Sequence, residues 1–207
     1  MTDHLRLAGR PHNEQALALE GFIRESDVLM RVLEGLSEMD LPDHQMVAGA
    51  IYNLAWNRLT SRPALNGIND IDIFYFDVDD LSWEAEDRVI RRLERRFADL
   101  PLPVQVRNQA RVHLWFPEKF GVTEFAPLTS SSDMLDRYAA RAHAVAARLT
   151  QDGRMEIIAP FGLDDLFSFR VVPNPVLPNQ PAYEAKAQRA LELWPELTVL
   201  PWPGVAD

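Results

Sequence analysis

"NGINDIDIFYFDVDD", residues 66–80, decides how this chain is to be read. It carries two Asp-x-Asp pairs, Asp70/Asp72 and Asp77/Asp79, on either side of an apolar run. Residues two apart on a strand share a face and lie about 6.5 Å apart at Cα. Asp70 and Asp72 can therefore converge on one Mg²⁺, or on two ions about 3.5–4 Å apart as in two-metal phosphoryl transfer. Asp70 and Asp77 are an odd number of positions apart and point to opposite faces, roughly 23 Å from one another along a straight strand. The two pairs cannot serve one site.

Upstream of the first pair, "AGAIYNLAWNRL" reads as the end of a short buried strand from "LPDHQMV", then a helix opening at Gly49. Free backbone N–H groups and the positive end of a helix dipole suit a triphosphate, and Gly49 and Ala50 stand at that opening. Asn53, one turn on, is placed to orient it. Downstream of the second pair, "SWEAEDRVIRRLERRF" is a helix from about Ser82, with acids in its first turns and arginines later. Asp79 and Asp80 then read as turn and N-terminal residues, and the arginines as a solvated face behind Val89, Ile90, Leu93 and Phe97.

The remaining elements follow from periodicity and punctuation. Residues 13–39 form a helical N-terminal segment, with Ser26 capping its second helix. "LPVQVRN" is a strand, and "QARVHLWF" is ambiguous until Pro117. "SSSDMLDRYAARAH" opens with good capping residues and reads as a helix. "AVAARLTQDGRMEIIAP" is a hairpin turning at Asp152-Gly153, and Asp164 and Asp165 begin a short helix. A C-terminal helix and tail, 180–207, pack Trp194 and Trp202 on the body. The order predicts an α+β (mixed α/β) chain, one domain over 1–207, with a mixed β-sheet flanked by helices.

Gly49-Ala50-Ile51-Tyr52-Asn53 followed by Asn69-Asp70-Ile71-Asp72 resembles the polymerase-beta-type nucleotidyltransferase superfamily. In its tRNA-CCA-adding branch, Gly-Gly-x-Val-Arg-Asp precedes a strand Asp-x-Asp. The chain more closely resembles an uncharacterised bacterial group of nucleotidyltransferase family proteins, through "AGAIYNLAW", "NDIDIFYFD", "VRNQARVHLWF", "APFGLDDLF" and "VVPNP", from about residue 47 to 175. The resemblance implies the fold named for that superfamily and Mg²⁺-dependent transfer of a nucleoside monophosphate from NTP, with Mn²⁺ as an alternative ion. Asp70 and Asp72 would hold the metal, and the third catalytic position falls on Gln105, where relatives usually carry a carboxylate. Asn108 and Arg111, beside Arg107 and His113, would line the nucleotide or acceptor cleft; the other reading is a strand end with a surface element. Tyr52 stands where the family more often has Arg. "IFYFDVDD" superficially resembles the nucleophile motif of haloacid-dehalogenase-type phosphatases, but Asp80 and Leu81 follow where that family carries Gly or Thr.

Composition narrows the partners. Net charge is −10, from 21 basic and 31 acidic residues, which favours a small-molecule or protein acceptor over a long nucleic acid. No apolar run approaches a membrane span, and the absence of Cys excludes disulfides and thiolate metal sites, which fits the cytoplasm. Two functions remain: an Mg²⁺-dependent nucleotidyltransferase acting on an unknown acceptor hydroxyl, and a nucleotide-binding protein that keeps the scaffold without turnover. A Gln at 105 cannot accept a proton as a carboxylate does, and is the argument for the second.

Overall fold

The computed structural model describes residues 3–121 and 125–204. Two helices, α1 (His12–Arg24) and α2 (Asp27–Ser37), lead into β1 (Gln45–Val47) and α3 (Gly49–Leu59). Next come β2 (Ile71–Tyr75), α4 (Trp83–Arg96) and β3 (Val104–Asn108). A 3₁₀ segment, Gln109–Leu114, and the single turn α5 (Phe116–Phe120) precede the hairpin β4 (Ala146–Leu149) and β5 (Met155–Ile158). The chain closes through α6 (Asp164–Phe167), β6 (Arg170–Val171), α7 (Gln180–Leu193) and β7 (Thr198–Val199).

The main sheet runs β3-β2-β1-β4-β5, with β2 and β3 parallel and the other neighbours antiparallel. The parallel pair is joined through α4, as a parallel connection requires. The sequence alternation in β2 is the reason it lies where it does. Ile71, Ile73 and Tyr75 are buried in the main core, each Ile worth about 1.5–3 kcal/mol, while Asp72 and Phe74 face the other way. α3 runs through that core, with Ile51, Leu54, Ala55 and Trp56 inaccessible to solvent. On the opposite face of the sheet, Val47 and Ala146 meet Leu135 and Ala144, with Phe74 and Tyr138 packed alongside.

Ser26 caps α2 through the Leu29 N–H, as expected, and Ser82, at the expected start of a helix, caps α4 through the Ala85 N–H. Arginines of α4 lie at the surface in ion pairs, Arg88 with Asp80 and Arg91 with Asp87. Residues 130–143 depart from the helix expected there. Asp133 accepts the Thr129 and Ser130 N–H groups, so the first turn closes on itself. The Asn174 side chain takes the carbonyls of Asp136 and Tyr138, and Ala140 bridges to Pro173. These contacts use the groups a helix would need. Only two short 3₁₀ turns form, Leu135–Arg137 and Arg141–His143.

Candidate functional site

Strand register assembles the site. Val47 of β1 lies opposite Asp72, so the chain leaves β1 and enters α3 beside the carboxylates. On the other flank Asp72 is paired with Gln105 of β3, whose side chain is on the same side of the pleat. Asp70 precedes β2, and its position depends on the loop before it. Asn57 donates to the carbonyls of Ala64 and Asn66, while Asn53 and Arg189 both donate to the carbonyl of Gly67, each at 3.2 Å. Gly67 has φ +72°, and a Cβ there would come within 2.8 Å of Leu193 and Trp194. Glycine is required at that close approach between loop and α7.

The result is a cleft of about 170 Å³ with Gly49 and Asn53 on one wall, Asp70 and Asp72 on another, and Lys186 and Arg189 of α7 opposite. Desolvation, with repulsion from Asp70, pushes the Asp72 carboxyl up to about 6, against the pull of Lys186 and Arg107. Lys186 is held below its ordinary value by desolvation, while Asp72 and Asp70 draw it back up. Burial pushes the Tyr52 hydroxyl up to about 12, with Arg189 opposing. Beneath Tyr52 the His143 ring stacks at 4.2 Å; burial, aided by Lys186, drives it down to about 3, so it is neutral. Gln105 donates its amide to Asp70 Oδ2 at 2.8 Å.

The helix entrance is strained. Ala48 precedes α3 with φ 55° and ψ −115°, a conformation suited to glycine. Ile51 and Tyr52 N–H groups are taken by the Ala48 carbonyl. Gly49 and Ala50 stand ahead of them, with N–H groups that have no intrahelical acceptor. The Ala50 side chain itself is buried in the core, so only its backbone can serve the cleft.

Residues 34–199 match the pattern of a family described as nucleotidyltransferase. The chain belongs to this nucleotidyltransferase family. No curated protein matches it. A structure solved by NMR and described as revealing a CCA-adding enzyme head domain is similar at 28% identity and a TM-score of 0.70, over 89% of this chain and 94% of that one.

In this member of the family the structure brings together Gly49, Asn53, Asp70 and Asp72, with Gln105 touching Asp70. It does not bring Asn108 and Arg111 there. Asn108 is three positions beyond Gln105 and so on the buried side of β3, where its side chain accepts from Asp77 N–H and Ala110 N–H and donates to Asp77 O. Arg111 pairs with buried Glu86, donates to Leu81 O at 2.9 Å and lies over the Trp83 ring. Both hold the loop after β2. The second acidic pair belongs to that same loop: Asp77 accepts from Asp79 N–H and Asp80 from Ser82 N–H. The turn role thus falls to Asp77 and Asp80. Asp164, at the start of α6, accepts from Gly9 N–H and Gln15. Sequence reasoning missed Lys186 and Arg189. Their spacing of three puts them on one helix face, but nothing in "AKAQRA" says that this face meets the carboxylates.

Among the described residues no three His, Asp or Glu side chains gather as a metal-binding group. The donor set at Asp70/Asp72 still fits Mg²⁺. That ion is held by one or two carboxylates together with substrate phosphates and water, and Asp72, raised by desolvation and then by repulsion from Asp70, is a carboxylate that a divalent cation would stabilise. Among the described residues no helix is long and apolar enough to cross a membrane.

Proposed function

We propose that the protein transfers a nucleoside monophosphate from Mg-NTP to an acceptor hydroxyl. The observation that carries this reading is the meeting, in one cleft, of the Asp70/Asp72 pair, the opening of α3, and Lys186 with Arg189. Asp70 and Asp72 would hold Mg²⁺ or Mn²⁺, which supplies charge neutralisation along the phosphates. Gly49 and Ala50 present backbone N–H groups to the triphosphate, and Lys186 and Arg189 neutralise its outer charges. Asn53 keeps the Gly67 loop, and with it Asp70, in place. The acceptor oxygen bonds to the α-phosphorus, the bond to the β-phosphate oxygen breaks, pyrophosphate leaves, and the hydroxyl proton passes to water. Positioning and electrostatics do most of the work.

A second reading, nucleotide binding without turnover, is favoured by Gln105. Its amide donates to Asp70 and cannot take the proton that a carboxylate there would accept. The neighbour described as a CCA-adding enzyme head domain makes a tRNA end one acceptor to test, although the net charge of −10 favours small molecules or proteins. Calorimetric titration with Mg-NTP, followed by pyrophosphate release with and without candidate acceptors, decides between them. Binding with no release under any condition selects the second reading; no binding removes both.

A further inference from the structure

Beside the cleft lies a second, larger cavity of about 570 Å³, within the range of roughly 300–1,000 Å³ usual for small-molecule sites. Lys186 lines both. Its walls are apolar, from Met134, Tyr138, Leu177 and Pro181, and the first turn of α7 closes one side with Ala182. Its charged lining is of one sign: Lys119, Arg137 and Lys186, with no carboxylate among the described residues that line it. That is a local reversal in a chain of net charge −10. Lys186 lies 6.0 Å from the centre of the Tyr138 ring, so one lysine borders both the groove and the cleft that holds Asp70 and Asp72. Within the wall, the Asn179 Oδ1 atom is buried with no hydrogen-bond partner among the described residues.

We propose that this groove holds the acceptor, and that the acceptor is a small molecule with an apolar or aromatic body, an anionic group and a hydroxyl. This rests on the transferase reading of the neighbouring cleft. A neutral nucleoside makes no use of the Arg137 guanidinium in this wall, whereas an anionic acceptor does. The cleft at Asp70/Asp72, at about 170 Å³, suits a triphosphate head and its ion and leaves the acceptor to an adjoining space. Seated in the groove, the acceptor directs its hydroxyl past Lys186. The new bond joins that oxygen to the α-phosphorus, pyrophosphate departs with the electrons of the broken bond, and the proton goes to water.

The test uses two fluorescent probes with one aromatic body, anionic anilinonaphthalene sulfonate and neutral phenylnaphthylamine. Native protein should prefer the anionic probe by roughly tenfold. Ala182→Trp fills the groove from an exposed position on α7 and should weaken the anionic probe roughly tenfold while leaving Mg-NTP affinity unchanged. Arg137→Gln should erase most of the preference for charge without excluding the neutral probe. Equal affinity for the two probes in native protein, or an unchanged probe in Ala182→Trp, overturns the proposal. Loss of Mg-NTP affinity in folded Ala182→Trp overturns it too, by giving the groove to the nucleoside. Failure of native protein to bind Mg-NTP at all is a separate result and removes the transferase reading instead.

Discussion

Gln105 donates its side-chain amide to Asp70 from the strand position that pairs with Asp72, so it stands beside both carboxylates of the proposed metal site. Replacing that amide with a carboxylate converts a donor into an acceptor at the same spot. Gln105→Glu should raise Mg²⁺ affinity roughly tenfold and increase any NTP turnover. In EDTA it should lower the melting temperature, because three carboxylates then repel one another. Melting curves with and without Mg²⁺ check this; a variant whose melting ignores the metal would place Gln105 outside the site.

The two acidic pairs should separate cleanly. Asp72→Asn should cost roughly tenfold or more in Mg-NTP affinity, since it removes one of two carboxylates facing the cleft. Asp79→Asn should change stability by no more than about 0.5 kcal/mol, because Asp79 is exposed and the neighbouring turns are closed by Asp77 and Asp80. Titration calorimetry on both variants, with equal losses as the contrary result, tests the assignment.

Ala48 offers a stability test at the mouth of the cleft. With φ 55° it stores strain that glycine does not feel, so Ala48→Gly should stabilise by about 1 kcal/mol. Urea denaturation measures the change. A destabilised variant would show that the unfolded chain's gain in freedom outweighs the strain.

Lys186→Ala and Arg189→Ala should each weaken NTP binding, and the loss should shrink from triphosphate to monophosphate. Arg189→Ala should also lower stability slightly, because that side chain holds the Gly67 carbonyl. Binding isotherms for NTP, NDP and NMP read the pattern. A uniform loss across the three would argue against contact with the outer phosphates.

His143 gives a pH signature. Its folded value of about 3 lies below the ordinary 6.5, so between those values the unfolded chain binds more protons. The stability it supports is full above about pH 6.5 and is lost as pH falls toward 3. His143→Phe, which keeps a ring against Tyr52, should flatten the pH dependence of stability across that window. Denaturation series at several pH values for both proteins measure the slope difference, and identical slopes refute it.

Much of this arrangement is legible along the chain. The alternation through Ile71, Ile73 and Tyr75 identifies β2 and, by the same parity, sends Asp70 and Asp72 to one side. Ser26 and Ser82 announce their helices, and Asp152-Gly153 its hairpin, because caps and tight turns are local chemistry. What is not legible depends on distant partners. Ser130–Ser132 read as caps, yet Asp133 takes the Thr129 and Ser130 N–H groups, and Asn174 and Pro173 claim the following backbone. Asn108 and Arg111 sit close in sequence to Gln105, but parity and the buried Glu86 turn them to the loop after β2. Lys186 and Arg189 reach the carboxylates only through the docking of α7 on Gly67, a contact that no short-range pattern encodes.

The cleft takes its two signs of charge from opposite parts of the polypeptide. Asp70 and Asp72 come from the chain at the start of β2, whereas Lys186 and Arg189 come from α7, 114 positions later if counted from Asp72 to Lys186. During synthesis the two carboxylates therefore emerge first and stand without these counter-charges until α7 is released and docks. A chain arrested before residue 180 keeps the two carboxylates that suit a metal and lacks the cations that suit a triphosphate. Docking of α7, rather than formation of the sheet, is what brings the two signs of charge into one cleft.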